Sequence, residues 1–96
     1  MSETLILEFK GTQDQYDGVN QALGINMTNG EGDWPPGLVS HVGAFSDGNL
    51  VVVEVWESVA QQEAFMASRL GPALGQVGVA EPHRVEWLHT VGTYPA

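Results

Sequence analysis

Four stretches of the chain are apolar or alternating over strand lengths, and two repeat their apolar positions every three or four residues. The first, Thr4-Leu5-Ile6-Leu7-Glu8-Phe9-Lys10, is short, rich in apolar residues and stopped by Gly11, which predicts a strand. Thr12-Gln13-Asp14-Gln15 then has the form of a capping box. The Thr12 hydroxyl can accept from the Gln15 amide, and the Gln15 side chain from the Thr12 amide. Tyr16, Val19 and Leu23 follow at helical spacing with Ala22 beside them, and Gly24 is the expected stop. Gly18 weakens this helix by about 1 kcal/mol relative to alanine, so the helix leans on tertiary packing. From Ile25 to Gly37 the chain reads as a loop of about a dozen residues, long for a compact domain, stiffened at its end by Pro35-Pro36. Trp34 is the large aromatic of this polar segment. It serves either as a plug on the core edge or as a lid over a pocket mouth.

Leu38 to Phe45 and Leu50 to Glu57 predict two further strands, the second being the most strand-like stretch in the chain. Ser46-Asp47-Gly48-Asn49 between them is a hairpin turn, with Asp-Gly supplying the positive φ angles of a type I′ turn. Ser58-Val59-Ala60-Gln61 forms a second capping box, opening a helix to about Leu70. Ala60, Ala64 and Ala67 make a small-residue stripe suited to close approach to a sheet, widened by Val59, Met66 and Leu70. Phe65 falls off that arc, which predicts burial on a second side as well. Gly71-Pro72 interrupts the helix, and Pro72 suits the first turn of a short further helix through Leu74. Arg84 to Val91 is the last strand. The order β-α-β-β-α-β predicts an α+β fold, a ferredoxin-like split arrangement with an antiparallel four-stranded sheet. One domain spanning residues 1–96 is expected at this length.

Side chains alternate between the faces of a strand, so the hairpin assigns them. With Asp47-Gly48 as a two-residue loop, Phe45 faces Leu50, Gly43 faces Val52, His41 faces Glu54 and Val39 faces Trp56. These residues share one face. The other carries Leu38, Ser40, Val42, Ala44, Val51, Val53, Val55 and Glu57. Both faces are mostly apolar, whereas an antiparallel sheet with helices on one side normally leaves a polar face outward. A second copy of the chain is the available cover, which predicts a homodimer packed through its sheet faces. A register slip of one residue would exchange the two sets.

Charge narrows the partners. Twelve Asp and Glu stand against three Lys and Arg, a net charge of −9 in 96 residues. Lys10, Arg69 and Arg84 are far apart, so no basic stripe is present and neither nucleic acid nor an anionic membrane is an expected partner. There is no cysteine, which removes disulfides, thiolate catalysis and cysteine-ligated metals. The acidic start Met1-Ser2-Glu3-Thr4 lacks the pattern of a secretion signal, and a cytoplasmic location is expected.

The mixed face carries the candidate chemistry. His41 opposite Glu54 is a cross-strand histidine–carboxylate pair, with Trp56 and Phe45 nearby and Gly43 leaving room. The carboxylate fixes the tautomer of the imidazole, and the pair can act as a general base or orient a ligand hydroxyl. A buried pair that fixes strand register is the alternative. Trp87 and His89 share a face of the last strand with Val85 and Val91; if that is the same face, a cavity would hold two histidines and two tryptophans. The histidines and glutamate lie on separate strands without a ligand-spacing motif, so no metal is expected. Gly30-Glu31-Gly32 does not follow a strand and is no dinucleotide loop.

Val53-Glu54-Val55-Trp56-Glu57-Ser58, a following helix with Glu63-Ala64-Phe65, and Pro36-Gly37-Leu38 leading into the second strand resemble the dimeric α/β-barrel superfamily. Within it, the chain resembles the small antibiotic-biosynthesis-monooxygenase-like proteins, and the resemblance runs over essentially the whole chain. It implies a dimeric α/β barrel. It also implies that Trp56 lines a cavity between sheet and helices. Haem-degrading members use an Asn in the first strand and a His in the second helix; this chain has neither, so that activity is disfavoured. The expectation is therefore a cofactor-independent monooxygenase or cyclase acting on an aromatic or polyketide-like small molecule. His41 and Glu54 would be catalytic, and Trp56, Phe45, Trp87, His89, Trp34 and Tyr16 would contact substrate. A non-catalytic small-molecule binder and a purely structural dimeric protein are the alternatives.

Overall fold

The computed structural model describes residues 2–94. Four strands form one antiparallel sheet: β1 (Glu3–Lys10), β4 (Leu38–Ser46), β5 (Asn49–Trp56) and β6 (Arg84–His89), in the order β4-β5-β1-β6. Helix α1 (Gln13–Leu23) follows β1, and α2 (Val59–Phe65), a π-helical turn (Met66–Leu70) and α3 (Gly71–Val77) link β5 to β6. This is the ferredoxin-like α+β arrangement expected from the order of elements.

Local chemistry sets the helix ends. Thr12 and Gln15 form both bonds of the capping box, and Gly24 closes α1 at φ 76°, a left-handed conformation that costs glycine little. Ser58 caps α2 by accepting from the Gln61 amide at 3.2 Å. Its hydroxyl donates to the Gln61 side chain, which replaces the expected reciprocal bond to the backbone. At the Gly71-Pro72 step the helix does not stop. It widens by one residue, with the Gly71 amide bonded to the Met66 carbonyl, and proceeds through Val77. Proline lacks an amide hydrogen and its ring crowds the carbonyl four residues earlier, and a wider turn relieves both.

The face that this helix buries differs from the small-residue stripe. Ala60, Ala64 and Ala67 are exposed, while Gln62, Phe65, Leu70, Ala73 and Leu74 are buried. Phe65 packs on Trp56 with ring centroids 5.7 Å apart. One phenyl ring removes more apolar surface from water than three alanine methyls, so Phe65 sets the rotation of the helix. On α1 likewise, Ala22 is exposed and Asn20 is buried beside Val19 and Leu23.

The hairpin register holds from Ser46–Asn49 to Ser40–Val55, with His41 opposite Glu54. Beyond Ser40 it breaks. Leu38, not Val39, pairs with Trp56, and Val39 is an extra residue, 44% exposed. Such a bulge turns one side chain out and re-aims the next. The expected Val39–Trp56 pair is therefore absent, and Leu38 packs on the core in its place.

The core lies between sheet and helices, with Leu5, Leu7 and Trp56 fully buried. Residues 25–37 carry a small hairpin, β2 (Ile25–Asn26) with β3 (Glu31–Gly32), where the sequence predicts a plain loop. The Asn26 side chain accepts from the amides of Thr28 and Asn29, an Asx turn that organises the tip. The opposite sheet face is open at Val42, Val53 and Leu88, which are 58%, 37% and 43% exposed. Among the described residues no helix is long and apolar enough to cross a membrane.

Candidate functional site

Four side chains from three elements form one hydrogen-bonded chain. The Trp56 indole donates to Glu54 Oε1 at 3.0 Å. His41 Nδ1 donates to Glu54 Oε2 at 2.7 Å. The Tyr16 hydroxyl lies 2.8 Å from His41 Nε2. A carboxylate only accepts, so Nδ1 carries the proton and Nε2 of a neutral ring accepts from Tyr16. Both imidazole nitrogens are thus engaged. Glu54 and Trp56 are two apart on β5, which puts both on one face and lets the indole reach the carboxylate. Glu54 is 5% exposed, a burial tolerated because its oxygens are bonded.

Tyr16 reaches His41 because Gly43 has no side chain. A Cβ at Gly43 would overlap the phenol ring, which lies across β4 nearly parallel to the imidazole at an interplanar angle of 18°. Burial raises the Tyr16 pKa above its ordinary value of 10.0. The polar Asn20 side chain, one helical turn on, opposes that shift, and the nearby charges of Glu54 and Asp17 add to it.

The Tyr16–His41–Glu54 end closes an apolar cavity of about 60 Å³, walled by Leu7, Val19, Leu50, Val52, Leu74 and Val79 among others. Outside it lies an open cleft of about 310 Å³ lined by Trp34, Leu38, Val39, Ser40 and His41. Trp34, Leu38 and His41 border both spaces. Trp34 is half-buried, packs on the core and donates to the Gly30 carbonyl at 2.9 Å, with its ring centroid 6.1 Å from that of His41. It is both a plug on the core edge and a wall between the two spaces.

No family model and no curated relative matches the chain. Solved structures do match along its whole length. An antibiotic biosynthesis monooxygenase-like protein from Chloroflexus aurantiacus aligns with a TM-score of 0.66 and 20% identity, covering 98% of this chain and 97% of that one. SnoaB, a cofactor-independent oxygenase from Streptomyces nogalater, aligns at 0.66 and 16%, covering 99% and 98%. NE2512, a protein of unknown function from Nitrosomonas europaea, aligns at 0.66 and 17%, covering 99% and 95%. The fold is that of the antibiotic-biosynthesis-monooxygenase-like proteins.

On this scaffold the eight residues singled out in the sequence separate. Tyr16, Trp34, His41 and Glu54 border the cavity, and Trp56 stands behind Glu54 with no exposed surface. Trp56 is therefore a support for the carboxylate, not a wall of the cavity as the resemblance implies. Phe45 is 50% exposed at the hairpin end and outside the cavity wall. Trp87 packs on the core across from Leu5, and His89 is largely exposed beside Glu3 at 3.4 Å. A cavity with two histidines and two tryptophans does not form, because β6 and β4 are opposite edges of the sheet with two strands between them. Among the described residues no group of three His, Cys, Asp or Glu converges in a metal-binding arrangement. Asn20 and Leu38 join the site without having been singled out. Asn20 is four residues after Tyr16 and so on the same helix face, a signal present in the sequence. Leu38 enters through the bulge, for which the sequence offers no comparable signal.

Proposed function

We propose that the protein is a cofactor-independent monooxygenase, with cyclisation the other chemistry open to the same base, acting on a planar aromatic or polyketide-like molecule with an acidic C–H. The observation that carries this is the Tyr16–His41–Glu54–Trp56 chain ending at an apolar cavity. His41 is the base. Glu54 holds Nδ1 and offsets the positive charge that develops on the ring, and Trp56 keeps the carboxylate in place. Nε2 is reached through Tyr16. As the phenol takes the substrate proton it gives its own to Nε2, so no free phenolate forms, which its burial disfavours. The resulting carbanion is electron-rich enough to reduce dioxygen directly. The cofactor-independent oxygenase SnoaB on the same fold supports this reading.

The protomer is one domain, and the functional unit is a homodimer through the open apolar sheet face, which Val42, Val53 and Leu88 support. A cytoplasmic location accords with the absence of cysteine.

Oxygen uptake with an anthrone-type substrate tests the function. Uptake by the wild type that is lost in His41→Ala, with circular dichroism unchanged, is the expected result. Uptake unchanged in that variant would reject His41 as the base. A second reading, a binder that performs no chemistry, draws on the fact that both His41 nitrogens already have partners. Saturable binding without oxygen uptake or cyclised product would establish it.

A further inference from the structure

The two spaces beside His41 differ in size and polarity, and the difference assigns them. An apolar protein cavity that takes a benzene ring measures about 150 Å³. The inner cavity, at about 60 Å³, has no room for a ring. Water fits it by volume, and by chemistry only at its polar end. A buried water needs about two to four polar partners; these lie only at the Tyr16, Asn20, His41 and Glu54 end and at the Trp34 indole, and toward Leu50, Val52 and Leu74 the wall is hydrocarbon. A diatomic apolar molecule needs neither room for a ring nor hydrogen bonds. The outer cleft is roomier, open to solvent and bordered by the indole of Trp34, a surface suited to an aromatic ring.

We infer that the inner cavity is a dioxygen site and that the organic substrate occupies the outer cleft, the two meeting at Trp34, Leu38 and His41. The inference rests on the oxygenase reading above and divides that site between the two reactants. The reaction is R₂CH₂ + O₂ → R₂C=O + H₂O. The carbon loses both hydrogens and four electrons. One oxygen atom forms the new carbonyl, and the other leaves as water with the two protons. His41 borders both spaces and Tyr16 lines the inner one, so the acidic carbon of a substrate in the cleft reaches past His41 to the phenol, where the proton taken from it can be returned to the reduced oxygen.

Dioxygen is paramagnetic, so its occupancy can be read without turnover. In methyl-labelled wild-type protein under oxygen pressure, the methyls of Leu50, Val52 and Leu74 should relax several times faster than under nitrogen. Their enhancement should exceed that of the freely exposed Val91, which is 99% accessible. Xenon should shift the same inner methyls. Enhancement at the inner methyls no greater than at Val91 overturns the assignment. In turnover, Val52→Ile adds one methyl group to the cavity wall. It should raise KM for dioxygen severalfold while changing KM for the organic substrate less than it changes KM for dioxygen. Equal changes in both constants would also overturn it. The two readings fail separately. Inner-methyl relaxation without any turnover rejects the oxygenase but keeps the gas site. Turnover without that relaxation keeps the oxygenase and rejects the site.

Discussion

The two faces of the sheet are built from similar residues and have different fates. Toward the helices, Leu5, Leu7, Val52 and Trp56 are 0%, 1%, 7% and 0% exposed. On the other side Val42 and Leu88 stand more than two-fifths in water. Val55 is the buried exception there, flanked in the sheet by Thr4 and Ser40. Apolar composition alone therefore does not make a core; cover does. The covered face tolerates a buried carboxylate because both oxygens of Glu54 are bonded, to His41 and to Trp56. The open face carries its polar links, among Glu8, His83, Arg84 and Glu86, in partly exposed positions at one end, and its apolar strip is suited to another surface.

Substitutions on the two faces should separate accordingly. Trp56→Ala removes the largest fully buried side chain and should cost about 3–5 kcal/mol in urea denaturation. An effect near that of an exposed valine would erase the contrast. Next comes Glu54→Ala, which strands the donors of His41 and Trp56 at about 1–3 kcal/mol each. Glu54→Gln keeps an acceptor and should cost measurably less; equal losses would mean the two bonds carry little. Gly43→Ala forces Tyr16 off β4 and should cost about 1–3 kcal/mol, the usual penalty for overpacking.

Tyr16 then adds a pH dependence. Its folded pKa lies above 10.0, so above that pH the native state holds more of its proton than the unfolded state. Its contribution to stability is complete below pH 10 and is lost as pH rises from there through the raised value. Thermal melts in alkaline buffer should show this fall in the wild type and a shallower one in Tyr16→Phe. The smallest effect on protomer stability belongs to the open face. Val42→Asp should change the unfolding free energy of the separated protomer by no more than about 0.5 kcal/mol. It should nevertheless convert a dimeric mass to a monomeric one by light scattering. A wild type that is already monomeric would remove the proposed role of this face.

Much of this was legible in the residues. Thr12 and Gln15 name a helix start by their own chemistry, and Asp47-Gly48 sets a register that brings His41 opposite Glu54. Ranges no longer than a hairpin or a helical turn obey fixed periods of 2 and 3.6 residues, so pattern suffices there. The burial of Phe65 was legible from its place off the alanine arc, but the exposure of the alanines was not. The choice of α2 between three alanines and Phe65 depends on what Trp56 offers across the gap, and Trp56 belongs to another element. His89 was misplaced for a related reason, since a shared face does not say how many strands lie between two edges.

The sequence by itself determined the four strands of the main sheet, the starts of the two helices, their order, the hairpin pairing and the apolar character of both sheet faces, because each rests on neighbours a few residues apart. Only the tertiary structure decided that Tyr16, twenty-five residues from His41, bonds its free nitrogen across Gly43. It also decided that Val39 is expelled while Leu38 turns inward, and that the space left over is small, apolar and closed at one end by the hydrogen-bonded Tyr16–His41–Glu54 chain. Those outcomes depend on how a helix crosses a twisted sheet, and that angle is settled by the packing of all the side chains together.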